Sequence, residues 1–272
     1  MRPSHHATNK TTLNRRTNGD QLHLELRLIA IPLAEDIHPG DSLAEKLLQS
    51  LKRHHLALAA KDILVVKHKI VSKAEGRIVA LDTVKPSAAS ISWARKYKLD
   101  ARIIELALRE SHAVIRRKNG ILITETHHGF ICANSGVDVS NVDGGRHAIL
   151  LPKDPDRSAR QLHRELKKHT KLAIPVLITD TFGRPWREGL VDFCIGIAGM
   201  KTSRDDRGTR DPHGYTLHAS VEAVADELAA AAGLVCGKVN RTPACIIRGF
   251  PYESALGLTR DLLRPPANDL FR

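Results

Sequence analysis

The sequence predicts a globular fold that mixes β-strands with helices, and three observations carry that reading. Short apolar, partly β-branched runs of strand length recur at 63–66, Ile121–Thr126, 174–178 and Ala244–Arg248. Longer stretches with helical spacing of apolar residues lie between them, such as Leu43, Leu47, Leu48 and Leu51. No Gly-x-Gly-x-x-Gly follows a strand, which argues against a dinucleotide-binding Rossmann domain. At 272 residues, 42% hydrophobic and 26% charged, the chain is able to bury a substantial core as one large domain or two intimate ones.

Residues 1–21 are polar, lack apolar periodicity and carry Arg2, Lys10, Arg15 and Arg16 against Asp20, so they read as a disordered basic tail. Arg15-Arg16 does not read as an export signal, because a polar stretch follows where an apolar one is required. The folded part is predicted to begin near Leu22 with a strand. A turn-rich loop over 34–40 leads to Ser42 and Glu45, spaced as a capping box that opens a helix. The strand at 63–66 runs into Lys67-His68-Lys69-Ile70-Val71-Ser72-Lys73. Three lysines beyond a strand end suit phosphates, although a basic run is more often a solvated face.

Helices are expected around 91–97 and 101–116, then the strand Ile121–Thr126 and a turn at His127-His128-Gly129 into Phe130-Ile131-Cys132. Among 15 histidines, a His-His pair reads as hydrogen-bonding before it reads as metal-binding. Asn134 to Asn141 is a compact loop in which Asp138 and Asn141 either face one ligand or simply make turns. Asp154-Pro155-Asp156 opens an amphipathic helix to about Lys168. Residues 191–200 read as a strand, 201–218 as a polar segment, and 218–237 as an Ala-rich helix with Val221, Val224, Leu228 and Leu234 inward. A turn-rich loop from Cys236 to Pro243 precedes the strand Ala244–Arg248, and 259–272 reads as a peripheral C-terminal tail.

The stretch 174–189, IPVLITDTFGRPWREG, organises the rest. An apolar strand switches abruptly to Thr179, Asp180 and Thr181, and a Phe-Gly-Arg-Pro turn is expected next. Carboxylate and hydroxyl oxygens at a strand end suit Mg²⁺ or Mn²⁺ near phosphates, with Arg184 and Arg187 to neutralise them; an Asp-Thr capping turn is the plainer alternative. Lysine and arginine outnumber acids 42 to 30, giving +12, a surface that favours polyanions. Aromatic content of 4% leaves little material for base-stacking platforms. No P-loop or Gly-x-Ser-x-Gly elbow is present, and no apolar run approaches the roughly 20 residues of a membrane span. Four scattered cysteines read as reduced thiols of a cytoplasmic protein.

Read together, Gly40-Asp41, ILVVKHKIVSKAEGR (63–77), GFICANSGVDVSNV (129–142), ITDTFGRPWREG (178–189), VADELAAAAGLVCGK (224–238) and IIRG (246–249) resemble the F420:γ-glutamyl ligase family. Six ordered motifs cover nearly everything from Leu22 to Phe250. The resemblance implies an α+β fold, mixed sheets with packed helices, as an intertwined homodimer, with a ligase domain over 22–258. It implies GTP-dependent ligation of L-glutamate to F420-0, then γ-linked addition to F420-1, through an acyl phosphate. It makes Asp138 and Asp180 catalytic residues that hold one divalent ion, Mg²⁺ or Mn²⁺, with Thr181 on a second and K⁺ as a further candidate. GTP contacts are implied for Leu33, Ala34, Glu35, Asp36, Ile37, His68, Lys69, Lys73 and Asn141. The later loop would add Cys236, Gly237, Lys238, Val239, Asn240, Arg241 and Thr242. Lys238 stands where family members can carry an acidic ligand to the second metal; a lysine there suits a phosphate instead. The rival readings are a ligase of this fold with another acceptor and a non-catalytic, basic nucleic-acid-binding protein. The paired aspartates disfavour the latter, since holding a polyanion does not require metal-binding carboxylates.

Overall fold

The computed structural model describes residues 24–140 and 142–271. The tail expected at 1–21, and Asn141 with its expected role, lie outside the described residues. In chain order the strands are β1 (Arg27–Ile31), β2 (Ile63–Lys67), β3 (Ile78–Ala80), β4 (Ser111–Lys118), β5 (Ile121–Thr126), β6 (Ile131–Ala133), β7 (His147–Ile149), β8 (Val176–Arg184), β9 (Arg187–Ala198), β10 (Arg204–Asp205), β11 (Val221–Glu222) and β12 (Ala244–Arg248). The helices are α1 (Leu43–Arg53), α2 (His68–Ala74), α3 (Ala88–Tyr97), α4 (Ala101–Arg109), α5 (Pro155–Thr170) and α6 (Val224–Cys236). The result is a mixed α+β architecture.

A five-stranded sheet in the order β1-β12-β2-β8-β9 forms the centre, antiparallel except where β2 and β8 run parallel. Over 63–66, 176–178 and 244–247 its middle strands are apolar, because helices cover both faces there. Alternation sends Leu64, Val66, Val176, Ile178 and Ile246 to one face, against apolar residues of α1, α2 and α5. Ile63, Val65, Leu177, Cys245 and Ile247 go to the other, against α6. α5 is capped by Asp154, which accepts from Arg157 N–H at 2.8 Å, with Pro155 opening the helix. That end sits so close to β9 that a Cβ on Gly196 would lie 2.4 Å from the Pro155 carbonyl. A smaller core of Leu81, Val84, Leu106, Ala148 and Leu150 supports the region of α3, α4, the β3–β7 pair and the antiparallel β4-β5-β6 sheet.

Several expectations need correction. The second helix of the pair ends at Arg109, and Ser111–Lys118 is a strand, because its alternating Val114 and Arg116 region pairs with β5. β8 continues through Phe182, Gly183 and Arg184, and the turn falls at Pro185-Trp186, so β9 starts at Arg187. The late helix begins at Val224, since 221–222 instead pairs with β10. Val224 and Leu228 do face inward, but Val221 is 48% and Leu234 83% exposed. Leu234 lies six residues beyond Leu228, off the helix face that Ala225, Ala229, Ala232 and Cys236 complete.

Where a peripheral tail was expected, Thr259 is buried and its hydroxyl donates to Asp156 Oδ2 at 3.0 Å. Leu262 and Leu263 pack against the two larger cores. All four cysteines are buried and unpaired. Burial pushes Cys132 and Cys245 up to about 12 and Cys236 up to about 11. These thiols are poor nucleophiles. Among the described residues no helix is long and apolar enough to cross a membrane.

Candidate active site

Parallel pairing of β2 and β8 sets Lys67 opposite Thr179, so the basic end of one strand meets the Thr-Asp-Thr end of the other. A bulge lies at the same level: Ile178 pairs with Gly196 and Thr179 with Cys194, leaving Ile195 without a counterpart. Such a bulge re-aims the side chains beyond it. Here the apolar run of β8 ends, and Thr179, Asp180 and Thr181 line a cavity of about 830 Å³. That volume suits a nucleotide-sized ligand.

α2 starts directly at the end of β2 and brings its basic residues to this wall. His68 is buried, with Nε2 3.1 Å from Asp180 Oδ1, outside hydrogen-bond geometry, and Nδ1 3.3 Å from Ser72 Oγ. Lys69 Nζ lies 2.7 Å from Asp138 Oδ2 and donates to Ser140 Oγ at 2.7 Å and its carbonyl at 3.2 Å. Asp138 is fixed by a backbone bridge to Ile149 and accepts the Ser140 N–H at 2.6 Å. Burial works to raise the Asp138 carboxyl, but Lys69 and Ser140 together outweigh it and hold it below the usual range. The turn before it needs left-handed backbone at Asn134, Ser135 and Gly136, and a Cβ on Gly136 would press Leu151 at 2.9 Å.

Behind the lining, Asp192 of β9 is buried, accepts from Thr181 Oγ1 at 2.7 Å and pairs with Lys67. It sits so close to α6 that a Cβ on Gly233 would lie 2.7 Å from its Oδ2. The two loops that close the cavity clasp each other. Leu33 N–H donates to the Arg241 carbonyl at 2.8 Å, and Arg241 Nη1 to the Ala34 carbonyl at 3.1 Å. Glu35 is held by Arg53 at 2.8 Å and Lys46 at 3.3 Å, while Thr242 Oγ1 donates to the Cys236 carbonyl at 2.5 Å.

The structure therefore brings together most of the residues singled out from the sequence. Leu33, Ala34, Glu35, Asp36, Ile37, His68, Lys69, Lys73, Asp138, Asp180, Thr181, Cys236, Gly237, Lys238, Val239, Arg241 and Thr242 all line this cavity; Asn240 does not. Lys67, one of the three lysines that suit phosphates, lines it as well. Asp192 was missed; its signal was a carboxylate interrupting an otherwise apolar strand.

The donor set fits a hard divalent cation. Every group is an oxygen, and Thr179 Oγ1 is buried without a hydrogen-bond partner. Among the described residues no three His, Cys, Asp or Glu side chains gather as a preformed cage. Mg²⁺ at phosphates ordinarily uses only one or two carboxylates, so Asp138 and Asp180 suffice.

A cavity lined by Lys67, Lys69 and Lys73 together with Asp138, Thr179, Asp180 and Thr181 combines cations with oxygen donors, a lining suited to phosphorylated, anionic ligands. Residues 33–249 match the family model described as F420-0:Gamma-glutamyl ligase. The chain is 41% identical over 252 residues to the Coenzyme F420:L-glutamate ligase of Methanopyrus kandleri, covering 91% of this chain and 98% of that protein. It is 42% identical over 250 residues to the protein of the same name from Methanothermobacter thermautotrophicus, covering 91% and 99%. With the Methanocaldococcus jannaschii protein of that name it shares 39% over 212 residues, 78% of this chain and 84% of the other. The chain belongs to the F420-0:gamma-glutamyl ligase family and is a ligase of it.

Proposed function

We propose that this chain joins L-glutamate to the carboxylate of coenzyme F420-0, and then to F420-1, using GTP, as a cytoplasmic homodimer. The observation that carries the reading is the cavity at the β2–β8 junction, where Asp138 and Asp180 lie among lysines in a chain matched to this family from 33 to 249. A carboxylate is a poor electrophile, so the γ-phosphoryl of GTP is transferred to an acceptor oxygen, giving an acyl phosphate and GDP. The glutamate amine then attacks the acyl carbon, the amide bond forms, and phosphate leaves as the amine loses its proton.

Asp138 and Asp180 would hold Mg²⁺ or Mn²⁺, with Thr179 and Thr181 flanking Asp180 on β8; such an ion would offset charge on the phosphates. Lys69, tethered to Asp138 and Ser140, and Lys67, tethered to Asp192, hold positive charge at fixed points of the wall. The Leu33–Arg241 clasp shapes the nucleotide end. Positioning and electrostatics supply the rate, and no side-chain nucleophile is needed. The test is incubation of the protein with F420-0, L-glutamate, GTP and Mn²⁺, read by mass spectrometry. Products heavier by whole glutamyl units, absent without GTP, are expected; nucleotide turnover with no glutamylated product would refute the acceptor.

A further inference from the structure

A second cavity, of about 410 Å³, begins at the next residue of β8 beyond Thr181. Its walls are mostly aromatic and aliphatic, including Phe130, Phe182, Phe193, Leu262 and Leu263. The Phe182 and Phe193 rings stack with centroids 5.8 Å apart and planes inclined by 21°. Two charged side chains interrupt this surface. Arg184 lines the cavity with its Nη1 buried and without a hydrogen-bond partner. Asp226 uses Oδ1 to accept the Cys194 N–H at 2.9 Å, and burial pushes its carboxyl up against the opposing effect of that bond. A buried guanidinium N–H with no acceptor is costly, and one in the wall of an apolar cavity calls for an oxygen from outside the chain.

We propose that this cavity holds the ring end of the acceptor coenzyme, its flat ring against the phenylalanines and a phosphodiester oxygen on Arg184. The inference rests on the ligase reading above. Arg184 lies four residues beyond Asp180 on one extended strand, roughly 13 Å at 3.3 Å per residue. A phosphodiester held at the end of the Arg184 side chain, with the short acyl group beyond it, places the ring in the second cavity and the carboxylate toward the first. Aromatic walls and a single arginine fit this ligand and not L-glutamate, which has two carboxylates, an ammonium and no flat apolar body.

The experiment is equilibrium dialysis of the full-length protein with F420-0, in the presence of a non-hydrolysable GTP analogue and Mg²⁺. Wild type, Arg184→Gln and Phe193→Leu are compared, with analogue binding and sedimentation measured in parallel. Arg184→Gln is expected to weaken F420-0 about tenfold or more and Phe193→Leu about threefold. Analogue affinity and oligomeric state should be unchanged, and in turnover only the KM for F420-0 should rise. Three results overturn the proposal: unchanged F420-0 affinity in Arg184→Gln, a parallel loss of the GTP analogue, or a shift in oligomeric state with KM unaltered. The last would make the cleft a contact between copies. Glutamylated product from wild type with unchanged KM in both variants sinks this subsite alone, whereas no product from wild type removes the ligase reading as well.

Discussion

Along β8, Val176, Leu177 and Ile178 are completely buried between helices on both faces, whereas the six residues after them, Thr179 to Arg184, line the two cavities. The bulge opposite Ile178 and Thr179 marks the change. The inner half ties the strand into the cores, and the outer half carries hydroxyls, carboxylate, rings and guanidinium out from that anchor. One strand thus separates stability from chemistry over a single peptide step, which gives this part of the site rigid placement. The two halves should respond differently to substitution.

The largest effect is expected at Asp180. Asp180→Ala should lower glutamate ligation about a thousandfold, while its thermal midpoint stays near that of wild type; full activity would break the division drawn at the bulge. Two residues inward, Ile178→Ala should behave in the opposite way. Removing its fully buried side chain should cost about 2–5 kcal/mol in urea unfolding, with turnover per folded molecule retained. A normal urea midpoint together with lost turnover would merge the two halves.

Gly233→Ala sharpens the comparison from α6. Alanine ordinarily stabilises a helix interior by about 1 kcal/mol over glycine. Here the new Cβ would lie 2.7 Å from Asp192 Oδ2, displacing the carboxylate that holds Lys67 and Thr181. Turnover is expected to fall about tenfold with no gain in melting temperature; a more stable, fully active variant would remove Asp192 from the site.

The smallest effect concerns pH and Asp226. A carboxyl whose folded pKa is raised contributes stability below its unfolded value, near 3.9, and that contribution is lost as pH rises through the folded value. Asn keeps the acceptor for the Cys194 N–H but does not titrate. Asp226→Asn should therefore gain stability relative to wild type across that interval and hold a constant margin up to pH 7, as followed by urea midpoints. A margin that shrinks with rising pH would contradict the assignment.

Much of this was legible in the sequence, because strand-length apolar runs and the Thr-Asp-Thr switch are local signals. The runs at 63–66, 174–178 and Ala244–Arg248 became the middle of the sheet, and Asp138, Asp180 and the lysines of α2 reached one cavity. The rest depended on tertiary pairing. Ser111–Lys118 follows a helix without a breaker and becomes a strand only because β5 lies beside it. Asp192 gains meaning from Lys67, 125 positions away in the chain. The aromatic cavity joins residues from 130 to 263, a juxtaposition that no spacing rule reports.

Phosphoryl transfer to the acceptor carboxylate is expected to precede amide formation at the β8 site. It is tested most directly by running the reaction with F420-0 labelled with ¹⁸O in that carboxylate and analysing the released phosphate by mass spectrometry. One labelled oxygen is expected in each phosphate, carried over when the acyl phosphate collapses. Amide product accompanied by unlabelled phosphate would contradict it.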